Sequence, residues 1–366
     1  MASDIAMFDA PALHGPLLAE LEAAAAAVFR HGRFILGPEV AELETRLADY
    51  VGVRHCITCG SGTTALIMAL MALGIGSGDE VILPAFTFAA PIEVVLLLGA
   101  TPVLADIEAG THALSPASVA TLIGARTRAI IAVSLYGQPA DFPALQALTR
   151  DRGIALIEDG AQSFGSTLAG VRSGAFGDMS CSSFFPTKPL GGCGDGGAVF
   201  TGDDALATAL REIRDHGQTE KYRHTRLGLN GRLDSLACAA LLVKFRHFPA
   251  HLQRRQQLAA RYDQGLAGIA TPVVRADVVS AYGQYCLELD ARESVREALA
   301  RAGIATAIHY PACLHQQPAF QSRCLRAAAL PQAERLAWRG LCLPLHPTLS
   351  DSDQDRVIAT LTDMLG

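Results

Sequence analysis

Lys188 stands in Ser183-Phe184-Phe185-Pro186-Thr187-Lys188-Pro189-Leu190-Gly191-Gly192, a lone cation among aromatics, prolines and glycines, with no acidic residue before Asp195. An amine in such apolar company is hard to keep charged, so it is available as a nucleophile toward a carbonyl. Pro186 and Pro189 bracket it and rule out a regular helix, where a solvated surface lysine usually sits. Upstream, Asp159 ends the apolar run Ala155-Leu156-Ile157-Glu158. A carbonyl-trapping lysine and a buried carboxylate are the two groups pyridoxal phosphate requires: one holds its aldehyde, the other pairs with its pyridinium nitrogen. For Lys188 alone, a structural loop lysine is the plainer alternative.

Other segments add parts of such a site. Cys59-Gly60-Ser61-Gly62-Thr63-Thr64-Ala65-Leu66 ends a loop and opens an apolar helix, whose free N–H groups and partial positive charge suit a phosphate. An ordinary helix N-cap fits the same residues. Phe88 follows the strand ending at Leu83, where an aromatic can stack on a flat ring or simply pack. Side-chain alternation puts Glu158 and Asp159 on opposite faces, so only one can serve the ring. Neither has a His or Cys within three residues, which favours a charge partner over a metal ligand. Gly192 to Gly197 formally reads G-x-G-x-x-G, but it runs into the strand-like Ala198-Val199-Phe200 and opens no helix, so a dinucleotide fingerprint is rejected. His309-Tyr310-Pro311-Ala312-Cys313-Leu314-His315 lacks a paired C-x-x-C, so no metal is expected, and His309 and Tyr310 read as polar ligand contacts.

The elements that must position these residues are legible as apolar runs. Glu80–Leu83, Pro102–Ala105, Ala129–Val133, Ala155–Ile157 and Ala198–Phe200 are continuously apolar and alternate with helix-like stretches at 65–73, 142–150 and 203–214. Strands covered on both faces predict a mostly parallel sheet between helices, an α/β fold. Beyond His247-Phe248-Pro249 the pattern becomes a polar helix over 252–265, then strand (284–289), helix (293–302) and strand (306–310). This predicts a large domain over 1–250, with an N-terminal arm, and a smaller α+β domain over 251–366.

Of 366 residues half are hydrophobic and 18% charged, which points to apolar surface buried in an oligomer. A net charge of −6 without a basic run argues against nucleic acid and membrane surfaces. No apolar run reads as long enough to span a bilayer. Met1-Ala2-Ser3-Asp4 lacks a basic n-region, so no signal peptide is expected. Nine scattered cysteines suit the reducing cytoplasm.

Together the motifs resemble the DegT/DnrJ/EryC1/StrS sugar aminotransferases, PLP enzymes of fold type I. The likeness runs from about Gly32 to Pro347 through Leu36-Gly37-Pro38-Glu39-Val40, Gly60-Ser61-Gly62-Thr63, Gly76 to Val81, Leu135-Tyr136-Gly137-Gln138, Glu158 to Gln162, the Lys188 segment, Asn230-Gly231-Arg232-Leu233-Asp234 and His309-Tyr310-Pro311. It implies that Lys188 holds the cofactor and shuttles the proton, Asp159 pairs with the pyridinium, Phe88 covers the ring and Gln162 bonds its phenolic oxygen. Gly62, Thr63 and Ser183 would bind the phosphate, with Asn230 reaching across a homodimer. Relatives acting as dehydratases carry histidine in place of the lysine, so Lys188 favours transamination with glutamate as donor.

The Lys188 segment and His216-Gly217-Gln218 are most similar to the branch of UDP-2-acetamido-2-deoxy-3-oxo-glucuronate aminotransferases of O-antigen and lipopolysaccharide synthesis. That likeness implies nucleotide-sugar contacts from Gly32, Phe34, Thr187, Arg232, His309 and Tyr310. Arg232 would face the C6 carboxylate; an ion pair with nearby Asp234 is the alternative. The rival substrate is a dTDP- or GDP-linked 6-deoxy keto-sugar aminated at C3 or C4. A nicotinamide-dependent dehydrogenase would need the missing fingerprint, and a PLP-binding regulator an appended DNA-binding unit.

Overall fold

All five apolar runs form strands, and side-chain alternation along them explains the layers built on either side. The computed structural model describes residues 4–269 and 271–365; Met1 to Ser3, part of the N-terminal stretch expected to be no signal peptide, lie outside the described residues. In chain order the strands are β1 (His55–Cys59), β2 (Glu80–Pro84), β3 (Thr101–Ala105), β4 (Thr127–Val133) and β5 (Ala155–Asp159). A small hairpin of β6 (Thr167–Leu168) and β7 (Val171–Arg172) precedes β8 (Met179–Ser183) and β9 (Gly197–Thr201). A surface hairpin of β10 (Gln218–Glu220) and β11 (Arg223–His224) follows, then β12 (Val278–Val279), β13 (Tyr285–Glu288), β14 (Leu325–Arg326) and β15 (Gly340–Leu343). Eight strands make the main sheet in the order β1-β9-β8-β5-β4-β2-β3-β14. It is parallel from β8 to β14, and only β9 runs against its neighbours β8 and β1.

Helices α1 (Ala10–His14), α2 (Leu18–His31) and α3 (Pro38–Val51) precede the sheet, and α4 (Gly62–Ala72), α5 (Ala90–Leu97), α6 (Pro116–Leu122), α7 (Phe142–Thr149) and α8 (Asp204–Arg214) link its strands. Val81, Leu83, Ile131 and Ile157 pack on one face with Leu66 and Met68 of α4, Val94 and Val95 of α5 and Leu210 of α8. Their neighbours Ile82, Ile130 and Leu156 turn to the other face and meet Val119 of α6 and Phe142 and Leu145 of α7. That alternation is what a twice-covered sheet requires.

The remaining helices are α9 (Ser235–Gly265), α10 (Arg292–Arg301), α11 (Pro331–Arg339) and α12 (Asp351–Leu365). Two expectations are corrected here. First, the polar helix expected over 252–265 is only the second half of one helix, α9, which starts at Ser235 and runs through Pro249, so residue 250 lies inside it. Pro249 sits on the exposed side, where water can bond the carbonyl that loses its N–H partner. The apolar start of α9 is covered by this chain's own α3 through Leu43 and Leu47, so its burial says nothing about a partner. Second, no strand forms at 306–310; only Ala307 bridges to Cys342. Strand β14 extends the main sheet, while β13 and β15 pair separately, over a core of Tyr262, Leu287, Leu299, Leu343 and Val357.

The helical stretch Ala10–His31 is long and apolar enough, by length and composition alone, to cross a membrane, which the sequence reading missed because His14, Glu20 and Glu22 interrupt its apolar run. Here it lies along α9: Glu20 pairs with Arg246 (2.6 Å) and His247 (3.1 Å).

Candidate active site

The carboxyl ends of β4, β5 and β8, the loop after β2 and the N-terminus of α4 surround a cavity of about 460 Å³. Open α/β sheets place ligands at this edge. Asp159 ends β5 at 6% exposure. Burial pushes its carboxyl up, opposed by the Ala161 N–H it accepts (3.1 Å) and by Lys188. Burial pushes the Lys188 amine down, opposed by Asp159. A larger share of uncharged amine is what attack on an aldehyde needs.

Glu158 points to the other face and is fully buried. Its oxygens accept from Ser134 Oγ (2.8 Å), Ser173 Oγ (2.7 Å), Gly174 N (2.8 Å) and Ser180 Oγ (2.8 Å). Four donors use up a carboxylate's acceptor capacity, so Asp159 is the acid left to face the cavity.

At the other end of the cavity Ser61 caps α4, its Oγ accepting from Thr64 N (3.0 Å). A Cβ on Gly62 would stand 2.8 Å from the Ser183 Cβ, so glycine is needed for α4 and β8 to approach this closely. The helix N-terminus and the Ser183 hydroxyl thus form an anion cradle. Gln162 Oε1 accepts from the Tyr136 N–H (2.8 Å), which fixes the amide so that Nε2 is the donor, bonded to the Tyr310 hydroxyl at 3.3 Å. Burial lowers the His309 pKa, with Lys188 adding to the effect, and raises that of Tyr310, with Asp159 adding. The Phe88 ring is 54% exposed and lies 5.9 Å from that of Tyr310.

The cavity is lined by Gly62, Thr63, Phe88, Asp159, Gln162, Ser183, Thr187, Lys188, His309 and Tyr310. It is not lined by Gly32, Phe34, Asn230 or Arg232. Gly32 caps α2 and Phe34 packs edge-on against Phe29, both in an exposed segment. Asn230 is exposed and bridges Asp215. Arg232 pairs with Asp215 and not with Asp234, because Asp234 caps α9 by accepting from Ala237 N (2.8 Å). Sequence reasoning passed over Gln284 and Asp195, which also line the cavity. Asp195 was visible as the first acid after Lys188.

These residues fit pyridoxal 5'-phosphate: an amine with depressed basicity, a carboxylate for the ring nitrogen, a fixed amide donor and an anion cradle converge on one space. Fold and site define a PLP-dependent transferase of fold type I. The chain belongs to the DegT/DnrJ/EryC1/StrS aminotransferase family, whose model matches residues 17–362. It is 49% identical over 346 residues to the UDP-2-acetamido-2-deoxy-3-oxo-D-glucuronate aminotransferase of Pseudomonas aeruginosa, covering 94% of this chain and 96% of that one. Among solved structures, a family aminotransferase from Brucella abortus superposes with TM-score 0.96 at 39% identity, covering 99% and 100% of the two chains. DesV of S. venezuelae, solved with a ketimine intermediate, gives the same TM-score and identity over 99% of each chain.

Proposed function

We propose that this enzyme moves the amino group of glutamate to C3 of UDP-2-acetamido-2-deoxy-3-oxo-glucuronate, in the cytoplasmic synthesis of an O-antigen or lipopolysaccharide sugar. The observation that carries the chemistry is Lys188 and Asp159 facing one desolvated cavity; the likeness to the Pseudomonas enzyme supports the substrate. Gly62, Thr63 and Ser183 hold the phosphate, and Gln162 Nε2 donates to the phenolic oxygen. Asp159 keeps a proton on the ring nitrogen. Bound in this way, pyridoxal phosphate supplies the electron sink for a carbanion. Lys188 Nζ takes the proton from the amino acid's α-carbon, and in the second half-reaction serves C3 of the sugar in reverse, so kinetics are ping-pong.

The working unit is a homodimer with shared sites. Gly32, Phe34, Asn230 and Arg232 lie outside their own cavity, on segments that also expose Leu18, Phe29, Ile35 and Leu36; this supports their serving the neighbour's site. Asn230 then completes the phosphate cradle, while Arg232 meets the C6 carboxylate and His309, Tyr310 and Thr187 the sugar. A dTDP- or GDP-linked 6-deoxy keto-sugar is the second reading, favoured by 40% identity to a dTDP-3-amino-3,4,6-trideoxy-glucose transaminase of Streptomyces venezuelae.

Absorbance tests the chemistry. The purified protein with PLP should be yellow, borohydride should fix the cofactor on Lys188, and glutamate should bleach the band toward that of the amine form. A protein that gains no band overturns the reading. Turnover against a panel of UDP-, dTDP- and GDP-linked keto-sugars decides between the substrates.

A further inference from the structure

The chain contains 30 lysines and arginines, of which only Lys188, Lys221 and Lys244 are lysine. Lys188 faces the cavity and Lys221 is on the exposed β10–β11 hairpin. Lys244 is the unexplained one: it lies in α9 at 3% exposure, and among the described residues no carboxylate forms an ion pair with it. An isolated buried ammonium is costly unless its protons are accepted. Its Nζ donates to the Gly192 carbonyl at 3.1 Å and to His14 Nε2 at 2.8 Å.

Gly192 is the closing residue of the loop that carries Lys188. Its N–H donates to the Phe184 carbonyl at 2.6 Å, and Phe184 N donates to Gly196 O at 2.7 Å. Inside the loop Lys188 N donates to Phe185 O at 2.9 Å. The turn is packed backbone on backbone: a Cβ on Gly191 would stand 2.1 Å from the Pro186 carbonyl oxygen. A loop so tight has few ways to relax, so the carbonyl at its base sets where its apex points. An arginine, the cation this chain uses almost everywhere else, presents a wide planar fork; a compact ammonium suits a single carbonyl in a closed space.

We propose that Lys244 is a positioning residue for Lys188, fixing through Gly192 the loop that delivers the reactive amine to the cofactor. It rests on the proposed role of Lys188 and touches neither cofactor nor substrate. Lys244→Met keeps the volume and removes every donor; His14→Ala removes the other acceptor and leaves the Gly192 bond.

The test uses the PLP-loaded dimer and reads the pH midpoint of the band of cofactor held by Lys188, single-turnover bleaching by glutamate, and thermal stability. Lys244→Met should bind PLP, move the midpoint by about one unit and slow bleaching roughly 10- to 100-fold, the range for a misplaced reacting group. His14→Ala should leave the midpoint and rate near wild type. Should Lys244→Met not fold, Lys244→Leu, which also lacks a donor, is read in the same way. A lowered melting temperature with unchanged midpoint and rate overturns the proposal, leaving Lys244 a staple between α9 and the loop. An equal effect of His14→Ala overturns it too, because the path would then run through α1. Wild-type protein with no band would instead sink the role of Lys188 itself.

Discussion

Glu158 and Asp159 are adjacent acids at the end of one strand, yet they face opposite sides of the sheet and live under opposite rules. Glu158 accepts from three serine hydroxyls and a backbone N–H and ties β4, β5 and β8 together. Asp159 accepts a single backbone N–H among the described residues and otherwise faces the cavity. Burial raises the pKa of both. A buried acid whose oxygens are filled holds structure; one whose oxygens are left open is available to a ligand.

The largest effect should come from the open acid. Asp159→Asn is expected to lower turnover roughly 10²–10³-fold, because an amide does not hold the ring proton, while thermal stability stays near wild type. Wild-type turnover in this variant would turn the comparison over and make Glu158 the catalytic acid. Glu158→Ala should do the reverse. It strands the Gly174 N–H and three hydroxyls, and denaturant titration should show a loss of about 2–4 kcal/mol. A stable Glu158→Ala protein with a dead cofactor band would erase the division of labour.

A pH series sharpens the same contrast from the cavity side. The folded protein without cofactor holds the Lys188 pKa below its ordinary 10.5, so between those two values the unfolded chain binds more protons. Stability should therefore rise with pH across that window, and Lys188→Met should remove this part of the slope. An unchanged slope would mean the amine is not desolvated.

Arg232 lies between the two cases: one arm is paired with Asp215, while its buried Nε has no partner among the described residues. Arg232→Lys should cost about 1–3 kcal/mol of transition-state binding toward uronic substrates. An equal loss toward 6-deoxy substrates would assign the arginine a structural role.

Much of this was legible. Strands β2, β3, β4, β5 and β9 announced themselves as apolar runs because both their faces are buried. Strand β8 did not, since three of the five residues of Met179-Ser180-Cys181-Ser182-Ser183 are serine; Ser180 is inside to serve Glu158 and Ser183 the anion cradle. Strand β1 was hidden by His55 and Thr58, the latter bonded to Glu44. The cavity-lining residues Gly62, Thr63, Phe88, Asp159, Gln162, Ser183 and Lys188 were readable one by one because each sits at or just past an element's end. The surface set around Asn230 was readable as a motif only. Sequence does not say which copy of a chain a residue serves, nor that Asp234 would be spent capping α9 and leave Asp215 to Arg232.

Helix α9 runs 31 residues without a break, a rod of about 46 Å. It starts beside the Asn230–Arg232 segment and ends in the C-terminal core, where buried Arg255 grips the carbonyls of Tyr282 and Leu345. A hinge at its middle would have to snap the rod. Whatever tilts one end must carry the other with it, so the Asn230–Arg232 segment and the C-terminal core are joined as the two arms of one lever.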